Sequence, residues 1–247
     1  MRFDYQSGIF DLGRYRGTPV YLHISFFFAA VILTFPYWHR PHINSLIIAV
    51  LVAAVLFGSI LVHELAHAEV ARRYRIPADR IDINLYGGLV QFRREPWTTK
   101  QDALITLAGP LSNIALGAVA FAILWLLQHS GLTAVEESVS RYTPPSITER
   151  VLQATAFINF GLGIVNLFPG VPLDGGRLVY LFVENRWGSR AAIRTVGALG
   201  LVFASFGVFI FIGSALSGFP IWAPPEFKIN WEAFNVRRSP SWYAYAV

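Results

Sequence analysis

Two histidines and a glutamate lie close together at the end of an apolar stretch. His63 and His67 frame an H-E-x-x-H pattern, in which Glu64 directly follows the first histidine. On a helix, residues four positions apart lie on one face, so both imidazoles can reach the same ion. Glu64 is rotated by about 100° from His63 and can approach a water molecule without binding the ion. The spacing predicts a zinc site with Glu64 as general base.

The stretch that leads into this pattern is long and apolar enough to cross a membrane. Residues 43–62 contain no charged side chain, and a helix of roughly 20 apolar residues spans the hydrocarbon core. Ionisable groups at that depth are costly and usually mark a functional site. Further uncharged stretches cover residues 20–38, 103–128, 151–173 and 195–225. The sequence therefore predicts an all-α polytopic membrane protein with five to six transmembrane helices.

The charge pattern fits a membrane protein and orients it. Of the 247 residues, 54% are hydrophobic and 14% are charged, against roughly 25% charged in soluble domains. Arginine and lysine concentrate before the first apolar stretch, between the second and third, and between the fourth and fifth. The positive-inside rule then predicts a cytoplasmic N-terminus and an active site toward the cytoplasmic side. Because the basic residues alternate with apolar stretches, they form no single face for nucleic acid.

A catalytic zinc site needs a third protein ligand besides the two histidines. The chain contains no cysteine, which excludes thiolate ligands, a cysteine nucleophile and disulfide bonds. Asp174 is the best candidate, because it lies between two apolar segments, where an unpaired carboxylate is costly. Helix-breaking residues surround it, at Pro169, Pro172, Gly175 and Gly176. Asp174 could instead cap a half-helix, which is a common role for aspartate.

A short segment after the second apolar stretch alternates as a strand does. Ile81, Ile83 and Leu85 are separated by polar residues, with a period of two. The pattern predicts a strand or short hairpin, a small membrane-associated β element after the second helix. Its open edge could pair with an extended substrate segment, and Gly87 and Gly88 would permit close backbone approach. The alternative is an interfacial turn with no role in substrate binding.

Three motifs in a fixed order give the chain a resemblance to a known family. They lie at residues 63–67 (HELAH), 108–113 (AGPLSN) and 166–176 (NLFPGVPLDGG). Together they resemble the site-2 protease family of intramembrane zinc metalloproteases, over roughly residues 8–215. Within the second motif, we interpret Gly109 and Asn113 as residues that let membrane helices pack closely.

The resemblance implies a zinc metalloendopeptidase that hydrolyses peptide bonds in or near transmembrane segments, as in regulated intramembrane proteolysis. The implied reaction residues are the catalytic Glu64 and the zinc ligands His63, His67 and Asp174. The resemblance also implies that Asn166 helps to hold the substrate or the oxyanion. Asn166 could instead satisfy backbone groups that a nearby proline frees. A multi-pass location in a prokaryotic inner membrane is implied as well.

The sequence indicates one membrane-embedded domain with two flanking segments. Residues 1–19 are expected to form a cytoplasmic amphipathic leader, residues 20–217 the metalloprotease core, and residues 218–247 an aromatic and proline-rich tail, without a PDZ or CBS module. Expected partners are a transmembrane protein substrate and the lipid bilayer. Two rival functions would use the same ligands without proteolysis: a membrane zinc carrier or sensor, and a non-catalytic pseudoprotease. Glu64 argues against both, because neither needs a general base.

Overall fold

The computed structural model describes residues 2–4, 7–37, 43–129, 145–216 and 227–236, which are mostly helical with one small sheet. The strands are β1 (Arg2–Asp4), β2 (Ile9–Tyr15), β3 (Thr18–His23), β4 (Ala78–Asn84) and β5 (Gly87–Phe92). The helices are α1 (Phe26–Thr34), α2 (Ile43–Arg73), α3 (Thr99–His129), α4 (Ile147–Asn166), α5 (Asp174–Trp187), α6 (Ser189–Leu216) and α7 (Phe227–Phe234). A 3₁₀ turn, Phe35–Tyr37, follows α1.

Three of the described helices are long and apolar enough to cross a membrane: α2, α3 and residues 189–209 of α6. Their outward surfaces carry large apolar side chains, and Val50, Phe121 and Val202 are each more than half exposed. So much apolar surface would be unfavourable in water, which makes lipid its natural surroundings. The described residues therefore fit an integral membrane protein, while the count of five to six spans stays a prediction.

The first predicted span, residues 20–38, is not one helix. Its start belongs to strand β3 and its middle forms α1, which has only 9 residues and is too short to cross a membrane alone. The cause is an alternation in which buried Val20 and Leu22 are separated by the more exposed Tyr21 and His23. This period of two is typical of a strand. The prediction of a span relied on the absence of charged residues and therefore overlooked the alternation.

The sheet has the order β1-β2-β3-β4-β5 and is antiparallel except for the parallel pair β3–β4. The hairpin expected after the second apolar stretch is present as β4 and β5. Residues 1–19, expected to form an amphipathic leader, supply β1, β2 and the start of β3. Ile81 and Ile83 of β4 are fully buried and pair with Val20 and Leu22 of β3. This order leaves β5 at one edge of the sheet.

The helices pack in two units. In the first, α2, α3 and α4 lie against one another, and Val52 of α2 and Ile158 of α4 share an apolar cluster with the sheet. We call these three helices the helical core. In the second, which we call the C-terminal unit, α5, α6 and α7 enclose a separate small cluster. Its buried residues are Val171, Ile193, Val196 and Ala233. The α4–α5 loop (residues 167–173) joins the two units.

Candidate metal centre

Helix α2 carries the H-E-x-x-H residues into the interior of the protein. His63, Glu64 and His67 are 6%, 5% and 7% exposed. The two imidazole rings share one face of the helix, and their centroids lie 4.7 Å apart. This is the arrangement that the four-residue spacing predicts, because such residues lie one helical turn apart.

Asp174, the first residue of α5, brings a carboxylate to the two imidazoles. Its Oδ2 atom lies 3.1 Å from Nε2 of His63, and its Oδ1 atom lies 3.4 Å from Nε2 of His67. One potential ligand atom from each residue lies within 4.8 Å of the other two. Two imidazole nitrogens and one carboxylate oxygen are a donor set that suits zinc and leaves a fourth position for water. The three side chains therefore fit a metal ion as a group.

The outer nitrogen of each imidazole contacts an oxygen atom. Nδ1 of His63 lies 2.5 Å from Oδ1 of Asn113, and Nδ1 of His67 lies 2.7 Å from the carbonyl oxygen of Ile105. A carbonyl oxygen only accepts, so each Nδ1 must carry the proton and donate it. With the proton on Nδ1, each Nε2 would offer its lone pair to an ion bound between the imidazoles and Asp174, which is the tautomer that a metal site requires.

A buried amide network holds Asn113 in place. Its Nδ2 atom donates to the carbonyl oxygen of Ser59 at 3.1 Å and to Oδ1 of Asn159 at 2.8 Å. Asn159 in turn donates to Oγ of Ser59 at 2.9 Å. The network ties α2, α3 and α4 together around His63, so Asn113 has a polar role beyond the packing role that we inferred. Sequence reasoning missed Asn159, although an amide in the middle of the uncharged stretch 151–173 could have been noticed.

Two glycines let neighbouring elements approach the site closely. A Cβ atom at Gly109 of α3 would overlap the Nε2 atoms of both histidines, and a Cβ atom at Gly88 of β5 would overlap the carboxylate of Glu64. Gly87 has no atom near its Cβ position but adopts a φ of +124°, which side-chain-bearing residues rarely adopt. Gly88 therefore lies beside Glu64, while Gly87 shapes the turn before β5.

Asn166 contacts its own helix. Its Nδ2 atom donates to the carbonyl oxygen of Leu162 at 2.9 Å. Leu162 precedes Pro169 by seven residues, so its carbonyl oxygen is not one of the groups that this proline frees, and the alternative role of Asn166 also stays a prediction. The predicted role of Asn166 in holding a substrate stays a prediction.

An ion pair anchors α5 to the helical core one turn after Asp174. The Nη2 atom of Arg177 lies 2.6 Å from Oδ2 of Asp102, and its Nε atom lies 3.1 Å from the same oxygen. Both side chains are 12% exposed. Charge-assisted bonds from a guanidinium to a carboxylate are strong and directional. The pair therefore fixes how α5 lies against α3.

Comparison with known proteins places this geometry in a family. The chain is 34% identical over 191 residues to a protein of Mycobacterium tuberculosis provisionally named zinc metalloprotease Rip3, covering 75% of this chain and 44% of that protein. It is 27% identical over 197 residues to a zinc metalloprotease of Methanocaldococcus jannaschii, covering 78% of this chain and 52% of that protein. The chain thus spans about half the length of these relatives.

The fold has a counterpart among solved structures. The site-2 protease from Methanocaldococcus jannaschii superposes with a TM-score of 0.59 over 92% of each chain, at 19% sequence identity. At that identity the match shows a shared fold. The model of peptidase family M50 matches residues 51–208, which include both histidines, Glu64 and Asp174. The chain belongs to peptidase family M50.

Proposed function

We propose that this protein is an intramembrane zinc metalloprotease that hydrolyses peptide bonds in or near transmembrane segments of other membrane proteins. The observation that carries the proposal is the meeting of Asp174 with His63 and His67, at 3.1 and 3.4 Å, beside a buried Glu64. The peptidase family and the relatives named zinc metalloproteases support the same reaction. Three membrane-length helices support a reaction at the membrane.

The proposed metal ligands are His63, His67 and Asp174. Zinc bound there supplies Lewis acidity, which acidifies water and polarises a carbonyl group. Asn113 and Ile105 hold the imidazoles in the tautomer that leaves Nε2 free to bind. The ligands come from two helices far apart in sequence, so the site depends on the packing of α5 against the helical core.

Glu64 is the proposed general base. It lies on the same helix as both histidines and is 5% exposed. Glu64 accepts a proton from water as the oxygen adds to the carbonyl carbon of the peptide. It returns the proton to the nitrogen as the C–N bond breaks. Gly88 lies against its carboxylate and limits the positions that the side chain can take.

The proposed substrate contact is the outer edge of β5, with which no other described strand pairs. A peptide bond inside a transmembrane helix is shielded and hydrogen-bonded, so the substrate must be extended before attack. An extended segment can add to a sheet edge through main-chain hydrogen bonds. Because Gly88 of β5 lies beside Glu64, such a segment would pass close to the proposed base. Two further candidate contacts of the same substrate are Gly87 and Asn166.

The proposed orientation puts the N-terminus and the site toward the cytoplasm. Arg72 and Arg73 end α2 one to two turns after His67, and basic residues near the end of a span favour the cytoplasmic side. The sheet would then lie on the cytoplasmic side of the membrane. Five to six spans and a prokaryotic inner membrane belong to the same proposal.

Substitution Glu64→Gln tests the proposed reaction. The variant should bind zinc with the stoichiometry of the wild type, because Glu64 is not a ligand. Its cleavage of a model transmembrane substrate in proteoliposomes should fall by about 10²- to 10⁴-fold or more, since the general base is lost. Undiminished cleavage would exclude Glu64 as the base. Loss of zinc in a folded variant would mean that Glu64 itself contributes to zinc binding. Glu69→Gln on the same helix is the matched control, because the Glu69 side chain is partly exposed and pairs with Arg72.

A further inference from the structure

The α4–α5 loop determines where Asp174 lies, and its backbone pairs with itself only in part. The N–H groups of Gly170 and Leu173 donate to the carbonyl oxygens of Phe168 and Gly170. Pro169 and Pro172 offer no N–H group, and the loop is neither helix nor strand. Non-helical backbone at membrane depth needs partners from the surrounding protein. Val171, in the middle of the loop, is 2% exposed. Its N–H and C=O groups must therefore find partners inside the protein.

One side chain supplies both partners. The N–H group of Val171 donates to Oδ1 of Asn230 at 3.1 Å, and Nδ2 of Asn230 donates to the carbonyl oxygen of Val171 at 2.9 Å. Asn230 belongs to α7, lies 59 residues away in sequence and is 2% exposed. Its amide thus pairs with Val171 as a neighbouring strand would.

Three glycines around this amide leave the space that it occupies. A Cβ atom at Gly200 of α6 would overlap Oδ1 of Asn230, and a Cβ atom at Gly197 would overlap the backbone of α7. A Cβ atom at Gly170 of the loop would lie 2.9 Å from the Cα atom of Gly200. Because all three positions lack a side chain, α6, α7 and the loop can close around Asn230.

We propose that Asn230 is a positioning residue for Asp174. It holds Val171, three residues before Asp174, and so keeps the carboxylate against His63 and His67. The inference rests on the proposed role of Asp174 as a metal ligand. Without the amide, two buried backbone groups would lose their partners, and the loop would shift to regain hydrogen bonds. The carboxylate would then meet the imidazoles less often.

Zinc affinity is the readout that reports this role. Removal of a group that orients a metal ligand lowers affinity by about 10- to 100-fold. The whole chain, purified in detergent, is titrated with zinc against a competing chelator, and its thermal unfolding is followed in parallel. Asn230→Leu should raise the free zinc concentration at half-occupancy by about 10- to 100-fold. Cleavage should be lost at limiting zinc and recover at excess zinc, since all three ligands remain.

A second variant displaces the amide while Asn230 stays in place. Gly200→Ala puts a methyl group where Oδ1 of Asn230 lies, so the same loss of zinc affinity is expected. Gly213→Ala on α6, which has no atom near its Cβ position, is its control. Asn235→Leu is the control for Asn230→Leu, because Asn235 is exposed directly after α7 and donates to the carbonyl oxygen of Trp231. Both controls should bind zinc as the wild type does.

The outcomes separate this inference from the proposed function. Zinc loss in Asp174→Ala, with wild-type affinity in folded Asn230→Leu and Gly200→Ala, overturns the positioning role alone. Wild-type affinity in Asp174→Ala overturns the proposed ligand. Ala233→Val disturbs the apolar cluster of the C-terminal unit but leaves the Asn230 amide in place. If it lowers zinc affinity as much as Asn230→Leu does, the positioning role is also overturned. If Asn230→Leu fails to fold, the titration of Gly200→Ala against Gly213→Ala decides.

Discussion

The helical core and the C-terminal unit support their proposed metal ligands in different ways. In the core, His63 is held by Asn113, whose amide also bonds Ser59 and Asn159, so that three helices share one network. In the C-terminal unit, Asp174 begins a helix whose own apolar cluster is separate from that of the core. The two histidines of the site thus belong to the helical core, whereas Asp174 belongs to the separately packed C-terminal unit.

The difference lies in how the two halves are attached. The C-terminal unit meets the core through the α4–α5 loop and through the contact of α5 with α3, where Arg177 pairs with Asp102. Asn230 steadies the loop before Asp174, and the ion pair steadies the helix after it. We expect metal affinity to depend on both units, but the stability of the fold to depend mainly on the core network.

Substitution Asn113→Leu should have the largest combined effect on zinc affinity and stability, because it breaks the amide network of the helical core. Nδ1 of His63 loses its acceptor, so zinc affinity should fall by about 10- to 100-fold. The free energy of unfolding should fall by about 1–3 kcal/mol for each buried polar group left unpaired. Competition titration and chemical denaturation measure the two effects.

Ser112→Ala is the matched control for Asn113→Leu. Ser112 is the preceding residue on α3, and its hydroxyl donates to the carbonyl oxygen of Gly109 within the same helix. It should leave zinc affinity unchanged. Wild-type zinc binding in a destabilised Asn113→Leu protein would show that His63 does not need this partner. Asn230→Leu should differ by losing zinc with a smaller loss of stability.

Changes at the Arg177–Asp102 pair should have a smaller effect on zinc affinity. They test how the C-terminal unit is attached to the helical core. Asp102→Leu leaves a largely buried guanidinium without its carboxylate and should cost up to about 3–5 kcal/mol of stability. Combining it with Arg177→Met removes both charges and should cost less than the single change. In the double variant, zinc affinity should fall by less than the roughly 10-fold expected for a group that touches a ligand.

A double-mutant cycle measures this coupling, with exposed Arg186→Met on α5 as the control. Additive effects of the two single changes would mean that the ion pair does not anchor α5. A loss of zinc affinity as large as that of Asn113→Leu would mean that the pair, rather than Asn230, sets the position of Asp174.

The local features of the site could be predicted from the sequence because they depend on neighbouring residues. His63 and His67 share a face through helix pitch alone. Asp174 stands out as a carboxylate between apolar segments. The alternation around Ile81 and Ile83 predicts the hairpin, which the structure contains.

The remaining features depend on contacts between distant segments. Asn159 and Asn230 gain their roles only when α4 and α7 reach partners 46 and 59 residues away. The sequence left the structure of the aromatic and proline-rich tail open. Helix α7 lies within it, and residues 218–226 and 237–247 lie outside the described residues. The pair Gly197 and Gly200, three residues apart on α6, was the available signal, because small residues mark close helix contacts.

The central claim is that one zinc ion joins the two units through two imidazoles and one carboxylate. X-ray absorption at the zinc edge tests it most directly, on the zinc-loaded wild type and on the variants Asp174→Ala and Glu64→Gln. The account predicts scattering from two imidazoles and from carboxylate oxygen in the wild type and in Glu64→Gln. In Asp174→Ala, which binds zinc more weakly and is loaded at excess zinc, the carboxylate oxygen should be lost. An identical zinc environment in Asp174→Ala and the wild type would contradict the claim.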